Sequence, residues 1–473
     1  MTWQTVIGLE VHAQLKTKSK LFSSASTAYG APPNSQTSYI DAALPGILPV
    51  LNQEAVHMAL KFALAIEAEI NDLSYFERKN YFYPDLPKGY QISQFQRPIV
   101  GNGYLDIGKG RQIHIVRAHL EEDAGKSLHE IHSTETGIDL NRAGTPLLEI
   151  VTAPCLNSAA EAIDYLKTLH QLLRFLDICD GNMQEGSFRC DVNLSLKPFN
   201  QTHLGTRTEL KNLNSFRFIE KAIHYEQRRH QDILERGEKI TQETRLYCPN
   251  TDSTEVLRSK ENENDYRYFP DPDLLPIKIS DKDITAIKAL MPALPTKIRQ
   301  ILQQTDGLND DLIEFLLSTP ATFQFYDEVK QHSLAAPKSI VNWLKGTYLA
   351  ALNEKALTFE KPPVSAKDLA CLLDKLTNLE ISAQTAKQIF KTLLTSTQSI
   401  DVLISAACTH QKDDHLIETI IASTLEKFPE QIASYRAGNE KLLGFFVGQV
   451  LKQIKGQGDP AEINRLLHKL LNK

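Results

Sequence analysis

No two cysteines in this chain stand as C-x-x-C, which removes the usual zinc-ribbon and thiol-redox patterns. The six thiols, at Cys155, Cys179, Cys190, Cys248, Cys371 and Cys408, are too scattered for a disulfide framework and read as buried, reduced side chains. No apolar run approaches the roughly 18–20 residues that a bilayer-spanning helix needs, so no membrane partner is expected. The N-terminus lacks a basic segment leading into a long apolar one, and Glu10 falls where the core of a secretion signal would be. The expected location is therefore the cytoplasm. An excess of positive charge is missing too. The 52 Lys and Arg stand against 58 Asp and Glu, a net of −6, so any nucleic-acid binding must come from a local basic face.

Two catalytic signatures are absent as well. "GKS" at Gly125–Ser127 lacks the glycine a phosphate loop requires five residues earlier, where Leu120 stands. Neither a Ser-Lys amidase pattern nor a cysteine in a nucleophile turn stands out, so no ammonia-generating glutaminase site is visible.

What is present begins with size. A chain of 473 residues with 42% hydrophobic content is a globular protein of about three domains. To Pro292 it alternates strand-like runs ("VIGLEVH", "RQIHIVRAHLEE", "TPLLEIVT", "SFRCDVNLSL", "GTRTELKNL") with helical patterns after Leu51, from Ser158 and from Ser215. Ser158 is placed to cap its helix. Several strands follow one another without a helix between them, which predicts an α+β fold with an antiparallel or mixed sheet. After Pro292 the pattern is of short amphipathic helices, with "FEKPPVSAKD" from Phe359 as a junction. The expected division is 1–292, 293–400 and 401–473, the last two all-α. In the tail, Gly456 and Gly458 are predicted to end one helix, with Asp459 and Pro460 starting the next. From Gln431 to Lys473, seven Lys or Arg stand against three Asp or Glu, which makes this the most basic compact segment.

The chemistry lies in the strands. Alternation puts Ile7, Leu9 and Val11 on one face and Val6, Gly8, Glu10 and His12 on the other. Glu149 lies opposite Leu148 and Ile150, while Arg189, Asp191, Asn193 and Ser195 share a stripe, as do Arg207, Glu209 and Lys211. In "HLEED", either Glu121 with Asp123 or Glu122 alone can join any one face. A carboxylate on a sheet face is costly to desolvate without a cation or hydrogen bonds. Five strands that each mix acids with Arg, Lys or His fit a divalent ion beside a phosphorylated ligand. A solvated sheet face is the plainer alternative. "RKNYFYPDLPKGYQISQ", Arg78–Gln94, interleaves aromatics with cations in a proline-stiffened loop, and "DYRYFPDPDLLP" from Asp265 is similar in composition.

These segments, with "LEEDAGKS", "DLNRAGTPLLEIV", "ELKNLNSF" and "LGFFVGQVLKQIKG", closely resemble the B-subunit family of bacterial aspartyl/glutamyl-tRNA amidotransferases over essentially the full length. The resemblance implies an ATP-dependent carbon–nitrogen ligase acting on misacylated tRNA. It would phosphorylate the side-chain carboxylate of Glu-tRNA(Gln) or Asp-tRNA(Asn), and ammonia would then displace the phosphate. It further implies an N-terminal domain similar to the glutamine synthetase and guanido kinase fold, a tRNA-facing helical tail, and two partners: an amidase-type A subunit that supplies ammonia, and a small C subunit. Glu10, His12, Glu122 and Glu149 are the implied Mg²⁺ ligands, Glu122 being preferred to Glu121 by the resemblance and not by spacing. Asp191 and Glu209 would join the same pocket. Lys79, Lys88, Tyr81 and Tyr90 would lie along the ammonia path or near the phosphates, and Arg142 and Arg189 would contact phosphate. Some members hold a structural zinc through cysteines after Phe22 and before Leu44. Here those regions read "SSAS" and "SYIDAALPG", so no zinc is expected. The competing readings are a non-catalytic tRNA-binding scaffold of the same complex and a self-sufficient ligase acting on a small carboxylate.

Overall fold

The computed structural model describes every residue except 1, 130–133, 260–262, 397, 410–413, 437–441, 454–459 and 472–473. Gly456, Gly458 and Asp459, expected to shape the last helix pair, lie outside the described residues. The chain forms two compact units, Met1–Pro295 and Thr296–Lys473.

The strands of the first unit's two larger sheets are, in chain order, β1 (Trp3–Gln14), β2 (Glu77–Asn80), β3 (Tyr90–Ser93), β4 (Gly103–Asp106), β5 (Gln112–Glu122), β6 (Pro146–Thr152), β7 (Phe188–Pro198), β8 (Thr208–Lys211), β9 (Glu243–Cys248), β10 (Ser253–Ser259) and β11 (Phe269–Pro270). Eight of them form one sheet in the order β10-β9-β8-β7-β1-β6-β5-β4. All its pairs are antiparallel except β8 with β9, so the sheet is mixed and the unit is α+β. A three-stranded sheet, β11-β2-β3, is separate.

Alternation in β1 explains its central place. Ile7, Leu9, Val11 and Ala13 are buried and pack with Cys190, Val192 and Leu194 of β7 and Leu148 and Ile150 of β6. The long helices packed on that core are α1 (Gln53–Ala65), α2 (Ala159–Phe175) and α3 (Phe216–Glu235). Each starts at a polar cap. The Asn52, Ser158 and Ser215 side chains accept hydrogen bonds from the backbone N–H groups of Glu54, Glu161 and Phe218, which meets part of the helix end's unpaired donors. With helices covering the apolar face, the opposite face of the sheet is left to polar side chains.

Every element in the described part of the second unit is a helix. Helices Pro320–His332 and Ala366–Thr377 pack on each other around an aromatic cluster in which Tyr348 lies 5.0 Å from Phe325 and 5.3 Å from Phe390. Helices Asp414–Glu426, Pro429–Arg436, Leu442–Gln453 and Pro460–Leu471 share a separate core built on Phe446, Val450, Ile463 and Leu467. Among the described residues no helix is long and apolar enough to cross a membrane.

Candidate active site

The register of β1 assembles the site. Glu10 lies opposite Asp191 and His12 opposite Arg189 on β7, while His12 lies opposite Glu149 on β6. Glu149 is paired in turn with His119 on β5, and Asn193 on β7 with Glu209 on β8. Residues directly opposite one another share a face, so acids and imidazoles from five strands form one row.

The row divides into two groups. In the first, His12, Glu121 and Glu149 offer ligand atoms within 4.8 Å of one another. Each carboxylate is shared by two imidazoles: Glu149 is 3.4 Å from His12 and 3.3 Å from His119, and Glu121 is 3.7 Å from each. Burial disfavours the charged form of His119, but the Glu149 and Glu121 carboxylates outweigh it and raise the ring to about 9. The same competition raises His12. Burial also opposes ionisation of Glu149, yet the His119 and His12 rings hold it well below the ordinary carboxylate value. In the second group Glu10, Asp191 and Glu209 likewise lie within 4.8 Å of one another. Lys211 contacts Asp191 and sits 3.5 Å from Glu209, and these acids raise its ammonium despite burial.

The expected ligand set is redistributed by this geometry. Glu121, not Glu122, meets His12 and Glu149, because residues 119 and 121 share a face and 122 takes the other. The Glu122 carboxylate instead accepts from the Ile92 backbone N–H at 2.9 Å and from the Lys88 ammonium. Glu10 stands with Asp191 and Glu209 rather than in the first group. Neither arginine expected to contact phosphate is brought into the row as a free guanidinium. Arg189 donates to Asp123 at 2.8 Å, and Arg142 donates to the Ala124 and Gly125 carbonyls at 2.9 and 2.6 Å. Burial works against ionisation of Asp123, and Arg189 and Arg142 together still lower it.

Lys79 on β2 lies 4.8 Å from the Tyr266 ring and 5.9 Å from Tyr81. Burial opposes its charge, but Glu121 and Glu149 raise it overall, which ties it electrostatically to the first group. Tyr81 donates to Gln91 at 3.2 Å, and its hydroxyl is raised by burial and the nearby acids. Lys88 lies 5.6 Å from the Tyr90 ring, whose other neighbour is the Arg78 guanidinium at 4.2 Å. Two cavities open along β1. One of about 170 Å³ is lined by Gly8, Glu10, Asn193 and Arg207, and one of about 480 Å³ by Gln14, Lys126, Arg142 and Ser187.

Comparison with known sequences adds the lineage. The profile of the GatB/GatE catalytic domain matches residues 5–285 and that of the GatB domain residues 324–471. The chain belongs to the GatB/GatE family. It is 63% identical over 476 residues to the B subunit of the aspartyl/glutamyl-tRNA(Asn/Gln) amidotransferase of Legionella pneumophila strain Corby, covering all of both chains. The corresponding B subunits of Thioalkalivibrio sulfidiphilus and Vesicomyosocius okutanii are 52% and 48% identical, again over 100% of both chains.

Within this GatB/GatE chain, sequence reasoning missed His119 and did not include Lys211 in the site. The signal for His119 was present: His119 and Glu121 repeat the two-residue spacing of Glu10 and His12 on a strand. The turn carrying Arg142 is held from below by a fully buried pair. Lys20 donates to Asp41 at 2.9 Å and to the Leu140 carbonyl at 3.2 Å, and Ser23 donates to Asp41 at 3.1 Å. Gly144 completes this packing, with φ +83° and room for a Cβ only 2.7 Å from an Asp41 oxygen. Gly144→Ala is therefore expected to destabilise the first unit by about 1–3 kcal/mol, read as a lower urea midpoint. An unchanged midpoint would mean the turn is not held as described.

Proposed function

We propose that this chain is the tRNA-dependent kinase and transamidase subunit of an aspartyl/glutamyl-tRNA(Asn/Gln) amidotransferase. The carrying observation is the convergence of His12, Glu121 and Glu149 from three strands onto one point of a polar sheet face. A plain solvated face has no reason to bury two carboxylates against two imidazoles, since each pays desolvation without a solvent-exposed benefit.

A side-chain carboxylate is a poor electrophile. One of its oxygens takes the γ-phosphoryl group of ATP, ADP leaves, and the resulting acyl phosphate has a good leaving group. Ammonia then attacks the carbonyl carbon, phosphate departs, and the excess proton passes to a base or to water. The two carboxylates and the His12 imidazole suit a divalent cation, and a carboxylate-rich set favours Mg²⁺. His12, Glu121 and Glu149 would hold it. When bound it would neutralise charge developing on the transferred phosphoryl group. The chain's own residues do the rest. Lys79 presents a cation beside the first group, Glu122 anchors Lys88 and the Tyr90–Ser93 strand, and the two cavities leave room for two substrates on either side of the acids.

In this reading ammonia arrives past Lys79, Tyr81, Lys88 and Tyr90 from an amidase-type A subunit, with a small C subunit completing a cytoplasmic heterotrimer. The helical unit meets tRNA, divided near residue 400 into a domain and a tail. A likeness of the first unit to the glutamine synthetase and guanido kinase fold is part of the same proposal. The test is release of labelled phosphate from γ-³²P-labelled ATP by the purified three-subunit complex, with Glu-tRNA(Gln) and Asp-tRNA(Asn) supplied separately. Release is expected only with a misacylated tRNA. Release at the same rate with uncharged tRNA would overturn the reading.

A further inference from the structure

The two acid groups on the sheet face are chemically unlike, although each has three potential ligands. In the first, Glu121 and Glu149 pair with the His12 and His119 imidazoles, and Ser93 also donates to Glu121 at 3.3 Å. Imidazole nitrogens and carboxylate oxygens are both ligating atoms, and His12, Glu121 and Glu149 bring three of them within 4.8 Å of one another. In the second, an ammonium stands among the carboxylates beside the neutral donors. Asn193 donates to Glu10 at 2.9 Å, Thr244 donates to Glu209 at 2.7 Å, and Lys211 binds Asp191 while reaching Glu209 at 3.5 Å. An ammonium carries three donors and no acceptor, so it cannot serve as a ligand while charged.

Strand geometry keeps Lys211 there. Val192 pairs with Leu210, Asn193 with Glu209 and Leu194 with Thr208, so the antiparallel register carries Lys211 on towards Asp191. Glu209 and Lys211 are two residues apart and share the face. The half-buried side chain is held by its contacts with both Asp191 and Glu209.

We propose that Lys211 is the built-in cation of the Glu10–Asp191–Glu209 group, so that this protein takes one divalent ion on the sheet face and not two. The idea rests on the reading that the first group holds a divalent ion. Glu10 and His12 are two strand residues apart, about 7 Å. A single ion at the first group and a fixed ammonium at the second therefore place positive charge at both ends of the row. Lys211 acts here as a positioning and charge-neutralising residue.

Mn²⁺ alone serves as the probe, counted by electron paramagnetic resonance on the three-subunit complex without nucleotide, with ions held by other subunits cancelling between variants. Glu149→Gln is expected to remove one Mn²⁺ from the wild-type count. Lys211→Met is expected to add one, and that added ion should survive in the Glu149→Gln/Lys211→Met double variant. Lys211→Arg, which keeps the charge, should show the wild-type count. A Lys211→Met count equal to wild type would overturn the proposal, as would loss of one ion in the wild type on Asp191→Asn. Should Lys211→Met gain an ion while Glu149→Gln loses none, the charge role of Lys211 stands and the metal reading of the first group falls. If Lys211→Met does not assemble, Lys211→Gln and the Asp191→Asn arm decide the matter in the same way.

Discussion

Glu149→Gln should lower tRNA-dependent phosphate release from ATP by about three orders of magnitude, corresponding to roughly 4 kcal/mol of lost transition-state stabilisation. The substitution keeps size and shape but removes the charge on which His12 and His119 converge at 3.4 and 3.3 Å. Without it the His12–Glu121–Glu149 group has one carboxylate instead of two, too little negative charge to gather a divalent ion firmly. His12→Ala should act in the same direction. Because Glu149 lies on the polar face while Leu148 and Ile150 carry the core packing, the fold should survive, with the urea midpoint lowered by the lost pairing with His12 and His119. Phosphate release at more than a tenth of the wild-type rate in saturating Mg²⁺ would remove the kinase role from this chain and favour a scaffold.

Glu226→Ala should be the most destabilising single change, at about 3–5 kcal/mol. Glu226 on α3 is fully buried, and its carboxylate accepts from Arg229 at 2.8–3.0 Å, lies 3.1 Å from Arg245 and 3.4 Å from His230, and accepts from Thr254. It thereby ties α3 to β9 and β10. Removing it leaves the Arg229 and Arg245 guanidinium groups with Glu243 alone as a shared anion, and Thr254 and His230 without their common carboxylate. The pH dependence has a definite sign. Burial works against the charged carboxylate, but His230 and the arginines lower it to about 2. A carboxyl held lower in the fold than in the unfolded chain contributes its stability above the unfolded value. That contribution, about 3 kcal/mol, is lost as pH falls through the folded value. Glu226→Gln should therefore flatten the fall in stability between about pH 5 and pH 2. An acid limb that keeps its wild-type slope in this variant would show that other carboxylates govern it.

How far the site could be read in advance follows from the range of each interaction. Ser158, four residues of local sequence and an apolar stripe suffice to start α2, and the structure places the cap as expected. Glu10 and His12 share a face for the same local reason. The choice between Glu121 and Glu122 is different. Alternation says that only one of them joins the row, but which one depends on whether His119 faces Glu149, and that is a pairing across some thirty residues of chain. Arg142 shows the opposite hazard. The resemblance implied a phosphate contact for it, and the structure shows its guanidinium donating to the carbonyls of Ala124 and Gly125, a partner choice that local sequence does not reveal.

By itself the sequence determined the start of α2, the α+β character of the first unit, the helical character of the second, and which strand faces are polar, but it read Arg78–Gln94 as a loop where β2 and β3 stand. These follow from periodicity and capping, which act within a few residues. Only the tertiary structure decided that β1 runs between β6 and β7, that the acids fall into two groups, and that an ammonium stands in the second. Backbone pairing is nearly indifferent to side-chain identity, so neighbours and register are set by how the whole apolar face packs against α1, α2 and α3.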